Sequence, residues 1–252
     1  MAWIAGGVVA SFLILWYVVS MPAVSIASVN VQGASLAPAD GIKAIAENEL
    51  KGAYLLVIPR HNSFLYPGVS IEKAIEKEYP PIASVAVSRN GLNTLDIAVS
   101  ERVPVALWCD GDAVAADTGE TCFDMDRNGF VFTSAAGDAS STSSLVRYQG
   151  DLSGSPIGKT YLSGGFAPLS ALITDIATSI GRAPESVSIP QDTDDVYLTL
   201  QGGGVIRFVR TADPGTTLQN IVSVFSSDDF KSHSSFQYID FRFGNKVYVK
   251  YE

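Results

Sequence analysis

The 252-residue sequence predicts an α+β protein in three parts: an N-terminal transmembrane helix, a βααββ module, and a mainly antiparallel β domain interrupted by two or more helices. Three observations lead there. The stretch from Trp3 to Ser20, "WIAGGVVASFLILWYVVS", carries no charge. From Ser25 to Arg102, segments of period 2 and period 3.6 follow in the order strand, helix, helix, strand, strand. After Pro104, short alternating runs dominate. The expected parts are an anchor over 1–22, the module over 24–102 and the β domain over 103–252.

As a helix, Trp3–Ser20 spans about 27 Å, close to the apolar thickness of a bilayer. Trp3, Trp16 and Tyr17 lie near its ends, where interfacial aromatics belong. A cleaved signal peptide is the alternative, with Met21-Pro22-Ala23 as a weak processing site. That reading wants a basic leader and a shorter apolar run, and neither is present. No Lys or Arg precedes Lys43, so charge does not orient the segment, and the absent basic tail is consistent with a trimmed N-terminus.

In the module, "SIASVNV" reads as a short strand stopped by Gly33. "SLAPADGIKAIAENELKG" reads as a helix capped by Ser35 or Ala37, with Pro38 in its first turn, Asp40 at the positive dipole end and Gly52 after it. Ile42, Ile45, Ala46 and Leu50 form its apolar stripe. "AYLLVIP" is a short apolar run. "SIEKAIEKEYPP" is a second helix capped by Ser70, with Ile71, Ala74 and Ile75 inward and Glu72 and Lys73 on the surface. "IASVAVSRNGLNTLDIAVSER" gives two strands around Asn90-Gly91, their apolar faces supplied by Val85, Val87, Leu95, Ile97 and Val99. This βααββ order resembles that of a POTRA module.

In the second half the strand-like runs are "VPVALW", "GFVF", "VYLTL", "GVIRFV", "FQYIDFRF" and "KVYVKY". Helical spacing appears in "PLSALITDIATSIG", through Leu169, Leu172, Ile173 and Ile176 up to Gly181. It appears again in "TTLQNIVSVFSS", through Leu218, Ile221, Val222 and Phe225. Ser134–Ser144 is too small and polar to pack and reads as a loop. The last fifteen residues, "YIDFRFGNKVYVKYE", alternate on both sides of Gly244-Asn245 and read as a hairpin.

Lys and Arg total 17 against 26 Asp and Glu, a net charge of −9, with no clustered cations. A polyanion such as nucleic acid is therefore a poor partner. Cys109 and Cys122 suit a bridge in an oxidising compartment, worth about 3 kcal/mol by loop entropy; two buried free thiols are the alternative. Three segments imitate catalytic or binding motifs and fall short. "GSPIGKT" has three residues between Gly154 and Gly158 where a phosphate loop needs four, and no apolar strand leads into it. "DMDRNG" supplies Asp124, Asp126, Asn128 and Gly129, but Ala135 stands where an EF-hand needs its bidentate carboxylate, so a turn is expected instead. His61 and His233 are far apart and lack ligand spacing. Asp228, Asp229 and Ser234 beside His233 lie on one loop, whereas triads are assembled by the fold. No catalytic, cofactor or metal residue is assigned, and an activity by binding rather than catalysis is expected.

Several segments together resemble the FtsQ/DivIB family of bacterial cell-division proteins. They are "VSIASVNVQGASLAPADGI" directly after the anchor, the junction "YPPIASVAVSRNGLNTLDIAVSERVPVALW" with Glu101, Arg102, Pro104 and Ala106, the turn "DRNGFVF", and the ending "YIDFRFGNKVYVK". The likeness covers nearly the whole chain in order. The Cys109/Cys122 pair departs from it and reads as a local staple.

The resemblance implies a single-pass protein of the bacterial cytoplasmic membrane, N-terminus inside, with POTRA and β domains outside. It implies no enzyme activity and no cofactor. It implies a divisome scaffold at the septum that recruits and regulates septal cell-wall synthesis with FtsB/DivIC-like and FtsL-like bitopic proteins. The partner surface it implies includes the last strand, Lys246, Val247, Tyr248, Val249 and Tyr251, approached through Phe243 and Gly244. An edge strand offers unpaired amides that another chain can complete; an interior or covered last strand is the alternative. The other functional reading is a POTRA-containing translocation or chaperone component that binds extended polypeptides through the POTRA edge.

Overall fold

The computed structural model describes residues 10, 16–17, 21–55, 57–110, 121–135, 144–152, 154–233, 235–244 and 246–252. Apart from Ala10, Trp16, Tyr17, Met21 and Pro22, the expected anchor lies outside them, as do residues 136–143 of the expected polar loop. Among the described residues no helix is long and apolar enough to cross a membrane. The chain divides into two compact units, Met1–Arg102 and Val103–Glu252.

The first unit runs β1 (Ser28–Gln32), α1 (Ala39–Glu49), β2 (Ala53–Tyr54), β3 (Ile58–Pro59), α2 (Gly68–Glu78), β4 (Ile82–Asn90) and β5 (Thr94–Glu101). β5 is central, with β1 parallel on one side and β4 antiparallel on the other. Its alternating Leu95, Ile97 and Val99 turn one face inward. Against that face pack Ile42 and Ala46 of α1 and Ile71 and Ile75 of α2, each pair four residues apart. Gly33, just after β1, has φ of +83°, and a Cβ there would run into the Val99 carbonyl oxygen, so only glycine closes this turn.

Three expectations are corrected. "AYLLVIP" is not a single apolar run but the small hairpin β2–β3, added between the two helices. α1 is not capped by Ser35 or Ala37; Pro38 holds the N-cap position without a side-chain bond. α2 begins at Gly68 rather than after Ser70, with Pro67 in the N-cap position and no side-chain cap bond.

Among the described residues the second unit is built on one nine-stranded sheet. Its elements are β6 (Ala106–Asp110), β7 (Thr121–Met125), β8 (Val131–Ser134), β9 (Arg147–Gln149), α3 (Phe166–Ile180), β10 (Pro184–Ser188), β11 (Asp195–Leu200), β12 (Val205–Val209), α4 (Pro214–Ser226), the short α5 (Asp228–Lys231), β13 (Phe236–Phe243) and β14 (Lys246–Tyr251). The order across the sheet is β14-β13-β12-β11-β10-β9-β6-β7-β8. Most neighbours are antiparallel; β6–β9, β9–β10 and β12–β13 are parallel. The parallel β12–β13 pair needs a crossover, which α4 supplies.

Leu169, Leu172, Ile173 and Ile176 of α3 and Ile221 of α4 cover one face, formed by Tyr148, Val187, Leu198, Ile206, Phe208 and Ile239 among others. α3 stops on Gly181 in the left-handed conformation, and Asp213 caps α4 by accepting the Thr216 amide. Cys109 and Cys122 face each other across β6 and β7 and are joined as a disulfide. Strands β7, β9 and β10 escape the sequence patterns because Thr121–Met125, Arg147–Gln149 and Pro184–Ser188 are short and lack clean alternation.

Candidate docking edge of the β domain

β13 and β14 form the hairpin expected from the ending. Phe243 pairs with Lys246 across the turn, and Gly244 adopts φ of +65°; Asn245 lies outside the described residues. Side chains sort by register. Leu198, Ile206, Ile239 and Val249 make a row on the helix-covered face. Tyr197, Arg207, Asp240 and Tyr248 make the neighbouring row on the opposite face.

The polar row is held by an ion cluster. Arg242 donates from Nε and Nη2 to the two carboxylate oxygens of Asp240, at 2.9 and 2.6 Å. Its Nη1 reaches Asp195 at 2.5 Å and the Tyr197 hydroxyl at 3.2 Å. Arg207 lies 3.8 Å from Asp240 and 4.1 Å over the Tyr238 ring. Asp240 is only 3% exposed. Burial alone would raise its pKa, but the Arg242 hydrogen bonds and charge outweigh that and hold the carboxyl below the usual range. The same pairing raises the Arg242 guanidinium. Asp and Arg of the ending motif therefore clamp β13 to β11 and make it a fixed rail for β14.

β14 itself is the last strand of the sheet and, among the described residues, pairs with β13 alone. Val249 and Tyr251 rest on the core. Phe243 and Tyr248, both about half exposed, meet edge-to-face with centroids 5.2 Å apart. Lys246, Val247 and Lys250 are exposed. The far end does not hang free. The Tyr251 hydroxyl donates to Asp229 at 3.0 Å, and the His233 ring stacks on Tyr251 at 3.6 Å. The seven residues singled out as partner-binding thus come together on one hairpin.

The imitation motifs are accounted for structurally. Asp126 accepts the amides of Asn128 and Phe130, making the turn into β8. The Lys159 carbonyl accepts from Val131, and the Gly158 amide donates back to Val131, so this segment covers the β8 edge of the sheet. His233 lines a recess with Arg182, Phe225, Phe230, Phe236 and Tyr251, in which Arg182 already donates to the carbonyls of Gln201 and Gly203. Ser234 lies outside the described residues. Among the described residues no cluster of three or more His, Cys, Asp or Glu could hold a metal ion.

Residues 24–102 match the family model of the POTRA domain, FtsQ-type. The chain carries an FtsQ-type POTRA domain. The match lies within the first compact unit and is in line with the likeness to the FtsQ/DivIB family drawn from the sequence. No curated protein matches the chain.

In the POTRA domain the Glu-Arg junction has a physical role. Glu101 Oε1, at the end of β5, accepts the amides of Ser35 and Leu36 at 2.6 Å and of Ala37 at 3.3 Å. Burial would raise this carboxyl, but the three backbone donors outweigh it and the pKa falls. A carboxylate from β5 thus gathers the three successive amides that lead into α1. Arg102 donates to the Pro80 carbonyl at 3.0 Å and fastens the strand end to the Pro80-Pro81 turn.

The POTRA edge strand is β4, and it is treated differently from β14. Glu72 accepts the Val87 amide at 3.0 Å, and Glu76 accepts the Val85 amide at 3.3 Å. Glu72 is therefore more than the surface decoration its sequence position suggests. Glu72 and Glu76, spaced i,i+4 on α2, cap alternate amides of the strand beside them. That spacing was the one signal available in the sequence, and nothing there identifies the amides it meets. The opposite edge, β1, is five residues long and, among the described residues, pairs with β5 only.

Proposed function

We propose that this protein is a single-pass scaffold of the bacterial divisome, with a cytoplasmic N-terminus and extracytoplasmic POTRA and β domains at the septum. It recruits and regulates septal cell-wall synthesis by binding FtsB/DivIC-like and FtsL-like proteins, and it is not an enzyme. The FtsQ-type POTRA match supports a role in division through protein–protein contact. The observation that carries the partner site is the position of β14: a six-residue strand at the sheet margin, backed by an ion-clamped neighbour and flanked by exposed Phe243, Val247 and Tyr248. A partner segment added as a further strand completes its ladder, and alternate side chains set specificity. The translocation reading would use a POTRA edge strand, and on β4 the Val85 and Val87 amides are already taken.

Replacing Val249 with Pro removes a backbone donor and strains the strand. With an FtsB-like peptide titrated onto the full chain, affinity is expected to fall by about 100-fold, roughly 2.7 kcal/mol, while circular dichroism still reports a folded domain. Unchanged affinity on a folded variant defeats the edge reading.

A further inference from the structure

Building on the single-pass reading, we infer that the POTRA domain rests one end on the lipid surface, with Leu55, Val57, Phe64, Leu65 and Leu92 entering the bilayer interface. These side chains are exposed without any role in the core: Leu55 is 91% exposed, Phe64 63%, Leu65 45%, Leu92 43% and Val57 39%. Leu55 also sits at φ of +48°, a left-handed conformation unusual for leucine, at the tip of the β2–β3 hairpin. A soluble surface gains nothing from holding a leucine outward in that way.

Hydrogen bonds bring these loops to the end of the domain at which the chain enters. The Ser63 amide donates to the Val24 carbonyl at 2.9 Å, and the Ile26 amide donates to His61 at 2.8 Å. Asn93, next to Leu92, donates its side-chain amide to the carbonyls of Pro22 and Ser25, at 3.2 and 2.8 Å. The Ser63 hydroxyl donates to the Leu92 carbonyl. Trp16 donates its indole N–H to the Val57 carbonyl at 3.0 Å. From Ser20, the end of the apolar stretch, to Val24 the chain reaches at most about 14 Å. Once the stretch spans a bilayer, Val24 and the Ser63 amide bonded to it are tethered close to the lipid surface.

The chemistry suits lipid better than another protein. Arg60 lies over Tyr54 at 5.5 Å and Arg89 over Phe64 at 4.5 Å, so cations flank the apolar tips. Guanidinium groups placed beside apolar tips suit the phosphate level of a membrane interface. A chain with net charge −9 otherwise offers a membrane little attraction.

The test uses the full oxidised chain in vesicles. Both native cysteines are in the disulfide, so an introduced cysteine is the only reactive thiol. An environment-sensitive fluorophore is placed on Leu55→Cys, Phe64→Cys and Leu92→Cys, with Lys77→Cys at the far end of α2 as reference. Lipids carrying a spin-label quencher near the headgroup are expected to quench the first three at least about threefold more than Lys77→Cys. Equal, water-like quenching at all positions in a chain that resists carbonate extraction overturns the surface contact and leaves the single-pass reading standing. Release of the chain by carbonate overturns both. Stronger quenching when anionic lipid is added supports a contribution from Arg60 and Arg89.

Discussion

Along β4, Glu72 and Glu76 reach over from α2 and occupy the amides of Val87 and Val85. Along β14, among the described residues, the strand pairs with β13 only, and its flank carries aromatics and lysines rather than carboxylates. Both strands sit at sheet margins and both alternate, so strand character does not separate them. What separates them is whether the same chain supplies acceptors for the outward N–H groups. An edge closed by its own glutamates is protected against accidental pairing; an edge backed by a rigid neighbour and left unpaired is suited to deliberate pairing.

The most severe way to break this contrast is to remove the rail. Arg242→Ala leaves the Asp240 carboxylate buried without its main partner, which is expected to cost about 3 kcal/mol in urea unfolding. It should also weaken FtsB-like peptide binding while leaving hydrogen exchange at Val85 and Val87 unchanged. If peptide affinity is untouched, β13 does not position β14. The double variant Cys109→Ser with Cys122→Ser gives a comparable loss of about 3 kcal/mol in thermal unfolding. Because β6 and β7 lie at the opposite end of the strand order from β14, affinity is expected to stay within about twofold. Phe243→Ala or Tyr248→Ala, measured by calorimetric titration, should each weaken the peptide about tenfold, roughly 1.4 kcal/mol. Glu72→Ala with Glu76→Ala sharpens the contrast from the other side: exchange at Val85 and Val87 accelerates about tenfold, whereas the Gln variants, which keep an acceptor oxygen, change it less.

Acid provides the gentlest probe. Glu101 and Asp240 are both held below their ordinary pKa in the folded chain. Their stabilisation is therefore complete above about pH 5 and is lost as pH falls through the ordinary carboxylate range, about 4, towards the folded values. Glu101→Gln should flatten part of that decline in a pH series of thermal midpoints.

Much of the architecture was legible because it rests on repetition. Ile42 with Ala46, Ile71 with Ile75, and Leu95, Ile97 and Val99 all recur at the period of their element, and each is buried. The terminal hairpin was legible for the same reason. What could not be read were contacts that join distant residues. Glu101 is 66 residues from the Ser35 amide it accepts, and Arg242 is 47 from Asp195. Neither spacing leaves a local pattern. Ser35 and Ser70 are good cap residues by type, yet the N-cap positions fall on Pro38 and Pro67, neither of which offers a side-chain acceptor. For the candidate docking hairpin, composition and alternation indicated the strand; only the register shows that Asp240 faces the cluster and Val249 the core.

The parallel step from β12 to β13 through α4 also sets an order of events. β13 cannot lie beside β12 until α4 has crossed the sheet, because a parallel neighbour cannot be reached by a tight turn. The β13–β14 hairpin can close locally, but it joins the sheet only through that crossover. The margin that β14 forms therefore depends on the packing of α4 as much as on the hairpin's own pairing.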